Sequence, residues 1–322
     1  MKQSGFKLWK IAALAAAVAS QYSNAAQQTW VSGLGNNNNP CTIAQPCASI
    51  QTALAATSPG GEVSILDGGP YAGTVDITQS VTINAVGAIV TIQKEGAGAA
   101  ITINAPSTDV VTLRGLSING GRTQGTNGIV FNAGARLQVE NSTIFGFTGD
   151  GLLFQPSAAS TLFVSNLSFR NNGGGGVSVT PTATGSANAA FTGVRVEGNL
   201  RGIKVDDASV ALVRNSVVTG NSPGNGIGIF SLASGGRAST MTVENSTSTM
   251  NGNYGLVSNG PLASLRISGV TSTDNGNYGL AIGGSGGTVF TFGGNRFHGN
   301  YTAFGGGVEV MPGLSPTTIN QQ

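Results

Sequence analysis

The chain has 322 residues, 51 of them glycine, with 9% charged side chains and 15 basic against 13 acidic residues. Lysine and arginine are scattered rather than clustered, which excludes a nucleic-acid footprint. The glycines keep no triplet period, and Val, Ile, Leu and Thr recur between them, which excludes both collagen and a disordered linker.

Residues 1–25 read as an export leader. Lys2, Lys7 and Lys10 form the basic start, residues 11–19 the short apolar stretch, and Ser23-Asn24-Ala25 a small-x-small cleavage site. The apolar run is far shorter than the roughly 20 residues that span a bilayer, so no membrane span is expected. Loss of the three leader lysines leaves 12 basic residues (15 − 3) against 13 acids, a net charge of −1.

Cys41 and Cys47 are the only cysteines. In an exported chain they predict one local disulfide within segment 26–47. With no histidine nearby they do not make a zinc site. Residues 48–56 form the one expected helix, with Ile50, Ala53 and Leu54 on a shared face and Ser58-Pro59-Gly60-Gly61 as its stop. Such a helix caps the open end of a stack of strands. Apolar alternation then gives strands within 63–66, 75–83, 89–92 and 100–119.

From Gly128 onward the chain repeats. Units restart at Gly128-Ile129, Gly151-Leu152, Gly176-Val177, Gly202-Ile203, Gly226-Ile227, Gly255-Leu256 and Gly279-Leu280, with spacings of 23, 25, 26, 24, 29 and 24 residues. A period in this range marks a solenoid whose units bury their apolar faces only by stacking. No segment shows the 3.6-residue period of helical repeats, so three short strands per coil are expected.

Aligned on the second strand of each unit, the triplets are Val139-Glu140-Asn141, Val164-Ser165-Asn166, Phe191-Thr192-Gly193, Val213-Arg214-Asn215, Val243-Glu244-Asn245, Ile267-Ser268-Gly269 and Phe292-Gly293-Gly294. The first residue should point inward and the second outward. The third should turn a corner in the left-handed backbone that Asn and Gly tolerate. Eight residues after each anchor from Val164 onward stands Asn172, Asn199, Asn221, Asn251, Asn275 or Asn300. Coils about 4.8 Å apart would let these amides bond up and down the stack as a ladder.

In these features the chain resembles the right-handed parallel β-helix proteins of the pectate-lyase-like superfamily. Ser49-Ile50-Gln51-Thr52-Ala53-Leu54, Gly60-Gly61-Glu62-Val63 and Gly68-Gly69-Pro70-Tyr71 look like that family's cap helix, glycine turn and first strand. The Gly-restarted, Asn-cornered coils look like its body. The resemblance implies an all-β fold, a three-sheet right-handed parallel β-helix with a short N-terminal cap helix. It implies no single activity, because members include lyases, hydrolases, epimerases and adhesins.

The polygalacturonase branch of that family carries an adjacent Asp pair, then Gly-His-Gly, then Arg-x-Lys. Here Asp206-Asp207 follows Arg201-Gly202-Ile203-Lys204, the basic pair is one residue too far apart, and the only histidine reads Phe297-His298-Gly299. Those roles are not carried over. The acid cluster of calcium-dependent pectate lyases is missing too, so the sequence does not indicate calcium or any other cofactor.

What remains is the charged strand with Lys204 and Asp206 outward and Arg201 and Asp207 at its ends. Solvated charge is the simpler reading; if the chain is an enzyme, these four are its candidate catalytic residues, for lysis or hydrolysis of a uronate-containing polysaccharide. Arg170 and Glu197 fall on matching positions of adjacent coils and predict an ion pair, with His298 exposed in the same column. Segments 181–189 and 231–236 read as turn insertions. The expected organisation is leader 1–25, disulfide segment 26–47, β-helix 48–304 and tail 305–322. The expected role is polysaccharide binding or structural, at the cell surface, in the periplasm or outside the cell.

Overall fold

The computed structural model describes residues 25–122, 125–222, 225–301 and 317–318. The expected leader before Ala25, and the expected tail apart from 317–318, lie outside the described residues. Each coil gives one short strand to each of three parallel sheets. Sheet A has 12 strands, sheet B 10 and sheet C 9, and each strand pairs with its counterpart one coil further on. Among the described residues one short helix completes the secondary structure. It is not long and apolar enough to cross a membrane, and no other described helix is.

Alternation builds the core. In sheet A, Leu162 and Val164 point inward and stack on Ala189 and Phe191, then on Ala211 and Val213. In sheet C, Ile129, Leu152, Val177, Ile203, Ile229, Leu256 and Leu280 are each fully buried in one column. Every expected corner has the left-handed backbone, from Asn141 at φ 49° to Gly294 at φ 69°.

Two registers differ from those expected. The restart column runs through Gly228, not Gly226, because Ile203 pairs with Ile229 and Ile229 with Leu256. Seven residues separate Asn221 from Gly228 but four separate Asn251 from Gly255, so this coil's turn is longer and displaces its glycine. In the last coil Thr291 faces Ile267 and Gly269 bonds to the carbonyl of Gly293. Arg296 faces Thr271, one residue further on, so the extra residue lies in the corner after the strand, and Phe292, beside Ser268, stands half-exposed instead of in the core.

The asparagine column is a continuous ladder. Each side-chain amide donates to the next asparagine's Oδ1: Asn172 to Asn199 at 2.9 Å, Asn199 to Asn221 at 3.2 Å, Asn221 to Asn251 at 2.8 Å, Asn251 to Asn275 at 3.0 Å and Asn275 to Asn300 at 2.8 Å. The main-chain N–H of each donor residue bonds to that same oxygen. All six are at most 2% exposed. The ladder therefore satisfies buried corner donors that water cannot reach.

At the N-terminus, within the expected disulfide segment, Ala26–Val31 is the first strand of sheet A. The cap helix is Ile50–Ala56, two residues shorter at its start than expected. Ser49 is the N-cap, its hydroxyl accepting from the Thr52 N–H, and Ile50, Ala53 and Leu54 are buried. Ser58-Pro59-Gly60 does not form a loop but opens the strand Thr57–Ile65, which absorbs it as a register shift. The two expected insertions are also shorter. Residues 186–189 belong to the strand Ser186–Thr192, and Ser231 and Leu232 end the strand Ile227–Leu232.

Cys41 and Cys47 form the expected disulfide, with Cα atoms 4.7 Å apart. The segment they close is tied to the first coil by Asp67. That carboxylate accepts from Ser32 Oγ at 2.5 Å, from the Gly33 N–H at 2.8 Å and from the Tyr71 hydroxyl. Burial raises the Asp67 pKa, but the bonds from Ser32, Tyr71 and Gly33 outweigh it and leave the carboxyl below its ordinary 3.8. A depressed carboxyl adds stability that is complete above its unfolded value and is lost as pH falls through the folded one. The N-terminal end should thus hold from neutral pH to about 3.8 and loosen below it. In Asp67→Asn, hydrogen exchange of the first coil should lose this acid dependence. An unchanged acid profile in that variant would reject the assignment.

Candidate functional site

The charged strand Arg201–Val205 lies in sheet C and places Lys204 and Asp206 on the outer face, as expected. Lys204 Nζ is 3.0 Å from Asp206 Oδ2. Asp206 is nevertheless only 9% exposed. Its Oδ1 accepts from the Asp207 N–H at 2.9 Å and from Ser234 Oγ at 3.3 Å. Asp207 Oδ2 in turn accepts from the Gly235 N–H. Arg237 then reaches back two coils, donating to Gly185 O at 2.7 Å and Thr182 O at 2.8 Å. Lys204, Asp206 and Asp207 are therefore brought together, and the turns on either side of them are clasped across the pair. Arg201 is not part of this group. It stands opposite Gly175, and its Nε is buried without a partner.

The expected pair in sheet B is corrected. Arg170 and Glu197 do face each other in register. Glu197 instead bonds to Arg195 on its own strand at 2.6 Å, while the Arg170 guanidinium sits 4.5 Å above the Phe145 ring. An aromatic face one coil below offers Arg170 a cation–π contact. Arg195, on the same face of the strand as Glu197, is the closer cation. His298 is exposed and paired in register with Thr273.

A separate concavity lies on the outer face of sheet A. A hollow of about 460 Å³ is walled by Phe163, Val210 and Leu212, with Thr161 and Asn188 at its rim. It shares Thr242 and Glu244 with a second hollow of about 340 Å³ that ends at Arg266 and Phe292. Phe163 and Phe292 thus mark two ends of one groove along the coil axis. Five strand steps of about 4.8 Å put them roughly 24 Å apart. Arg136 lies 5.4 Å over the Phe163 ring.

The charges in this groove are unspent. On the same face Arg114 and Glu140, neighbours across adjacent strands, close to 3.3 Å. Arg214 and Glu244 have the same cross-strand relation. Among the described residues, neither they nor Arg266 form an ion pair through their side chains. The sequence carried a signal for this groove: a broken alternation. Leu162-Phe163-Val164 and Val210-Ala211-Leu212-Val213 place large apolar residues in outward positions, where polar ones are expected.

Residues 79–238 match the family described as right handed beta helix region, and residues 170–319 match the family described as periplasmic copper-binding protein (NosD). No curated protein matches the sequence. Among solved structures, an alginate lyase from Paenibacillus sp. str. FPU-7 is 17% identical, over 92% of this chain and 99% of its own, with a TM-score of 0.60. Pectate lyase Pel9A is 18% identical, over 82% and 74%, with a TM-score of 0.57. ORF18 of Geobacillus virus E2 is 14% identical, over 84% and 56%, with a TM-score of 0.60. Identities this low show a shared fold.

A copper site needs imidazole or sulfur donors in one place. Within the matched region the described donors are His298, the core residue Met241 and the exposed Met250. Met250 follows Thr249, which is two strands away from His298 in sheet B. Among the described residues no group of three or more His, Cys, Asp and Glu converges on a metal position. The described donors do not fit copper. Three parallel sheets stacked coil upon coil, with matched segments that together run from 79 to 319, make this chain a right-handed parallel β-helix protein.

Proposed function

We propose that this protein acts outside the cytoplasm and binds polysaccharide along the outer face of sheet A, without cleaving it. The observation that carries the reading is the groove from Phe163 to Phe292. It has an aromatic ring at each end and unpaired Glu244 and Arg266 between them. Sugar rings stack their C–H faces on aromatic side chains and present hydroxyl and carboxylate groups to charged ones. The export leader and the disulfide support an oxidising compartment. The alternative site, around Lys204, offers a ligand little. Asp206 and Asp207 already accept bonds from Lys204, Ser234 and Gly235.

Affinity electrophoresis of the mature protein in alginate and in pectate should show retardation without release of unsaturated or reducing-end products. Phe163→Ala should weaken binding about tenfold, the ~1.4 kcal/mol that such an aromatic contact contributes. Lys204→Ala should leave binding unchanged. Product release by the wild type, abolished in Lys204→Ala and Asp206→Ala, would move the site to sheet C and make the protein an enzyme.

A further inference from the structure

Asparagine followed by glycine carries its own reactant. The glycine nitrogen, with no Cβ beside it, can attack the asparagine Cγ and close a five-membered succinimide. The attack needs that nitrogen free of other bonds and the side chain turned back onto the main chain. Seven such pairs occur in the sequence, at Asn119, Asn127, Asn172, Asn225, Asn251, Asn259 and Asn275.

In six of the seven the glycine nitrogen is held by a neighbouring coil. The N–H of Gly120 donates to Phe145 O at 2.9 Å, that of Gly128 to Asp150 O at 3.0 Å and that of Gly173 to Phe147 O at 2.8 Å. Gly252 donates to Asn221 O at 2.9 Å, Gly260 to Gly286 O at 2.8 Å and Gly276 to Asn251 O at 2.8 Å. The side chains are held as well. Asn172, Asn251 and Asn275 are ladder rungs, each accepting at Oδ1 and donating from Nδ2. Asn119, Asn127 and Asn259 accept at Oδ1 from the N–H groups of Gly121, Asp150 and Ser285.

Asn225 differs on both counts. The Gly226 N–H donates to Ser222 O at 3.0 Å, four residues back in the same turn, so this bond opens without parting two coils. The Asn225 side chain is exposed, and among the described residues no hydrogen bond fixes it.

We infer that Asn225 is a spontaneous deamidation site of the folded protein, and that the stack shields the same chemistry at Asn172, Asn251 and Asn275. The Gly226 nitrogen gives its proton to solvent and bonds to Asn225 Cγ; the Cγ–Nδ2 bond breaks and ammonia leaves. Water then opens the ring at Cγ, giving aspartate, or at the Asn225 main-chain carbon, giving isoaspartate. Either product places a carboxylate in the turn that leads into the strand Ile227–Leu232. On a ladder rung the same product would be a buried carboxylate with no amide to donate to the next coil, which a site closed to water does not tolerate. Time spent unfolded therefore damages the ladder irreversibly. This inference rests on main-chain bonding and is independent of the polysaccharide reading.

The test holds the mature oxidised protein in neutral buffer below its melting temperature and, in parallel, in guanidinium chloride above its midpoint. Peptide mass spectrometry with isoaspartate methyltransferase labelling follows each asparagine. In buffer Asn225 should convert at least about tenfold faster than Asn172, Asn251 or Asn275, because a turn opens far more often than several coils together. In denaturant the four rates should converge. Asn225→Gln, whose longer side chain closes a ring slowly, should lose the signal in buffer and melt as the wild type does. Chains returned to buffer after increasing times in denaturant should refold in decreasing yield, with modified ladder positions concentrated in the fraction that fails. Ladder asparagines that convert as fast as Asn225 in buffer overturn the inference. So does an Asn225 that stays intact in buffer yet converts in denaturant. Modified rungs found equally in the refolded fraction would overturn the claim of irreversible damage.

Discussion

Asn221→Leu is expected to lower stability by about 2–4 kcal/mol, from one stranded main-chain donor and the loss of two amide bonds. Asn221 Oδ1 accepts from the main-chain N–H of Asn199 at 3.1 Å and from its side chain at 3.2 Å, and its own Nδ2 donates to Asn251 at 2.8 Å. The Asn199 amide keeps partners at Phe169 O and Glu197 O, so it survives the change. The Asn199 N–H does not, because the site is closed to water, with Asn221 at 0% exposure. Leucine has the same number and branching of side-chain heavy atoms as asparagine and leaves no cavity, so the effect is chiefly one of lost bonds. Asn245→Gly is the control. Asn245 is a corner residue at φ 46°, and glycine keeps that backbone within about 0.5 kcal/mol. Stacked repeats need not unfold in one step, so urea midpoints should be paired with hydrogen exchange of residues flanking Asn199. Unchanged stability with loss of glycan binding would instead make the column a binding row.

The ladder was legible because one requirement recurs in every coil. A buried corner N–H needs a short acceptor, and asparagine supplies the acceptor together with a donor for the next coil. The corners at Asn141 and Asn166 were legible for the same kind of reason: few residues tolerate that backbone. The displaced restart at Gly228 was harder to place. Gly226-Ile227-Gly228-Ile229 offers two equivalent Gly-Ile phases, and only pairing with Ile203 and Leu256 selects one. Phe292 was misplaced because one extra residue in the corner after it shifts the count and reverses the face assigned to it. The strand Ala26–Val31 precedes the repeat and had no period to reveal it. The site was the least legible part. Lys204 and Asp206 attracted attention because charge is scarce, yet their bonds go to neighbouring turns. Phe163 and Leu212 are large apolar residues whose outward direction only the sheet register settles. Arg170 was expected on Glu197, but Phe145 on the adjacent coil and Arg195 on the same strand offered each a nearer contact.

Glycine content alone does not distinguish a glycine that the stack requires from one that it merely contains, and Gly255 and Gly284 separate the two. A Cβ at Gly255 would lie 2.6 Å from the Gly279 carbonyl oxygen and 2.8 Å from Asn275 Nδ2. Neither neighbour can give way: one is backbone in the adjacent coil, and the other is a rung of the ladder. Gly255→Ala should therefore force adjacent coils apart and destabilise by about 2–4 kcal/mol, toward the upper end of what overpacking costs. Gly284 has nothing within 4 Å of the same added atom, and its backbone is not in the left-handed region. Alanine there restricts the unfolded chain without disturbing the folded one, so Gly284→Ala should be neutral or stabilising by up to about 1 kcal/mol. Chemical denaturation of the two variants beside the wild type reads both signs in one experiment. If Gly255→Ala unfolds at the wild-type midpoint, the restart glycines are not close-approach positions. Their recurrence would then need another cause, such as the mobility of the turn before each strand of sheet C.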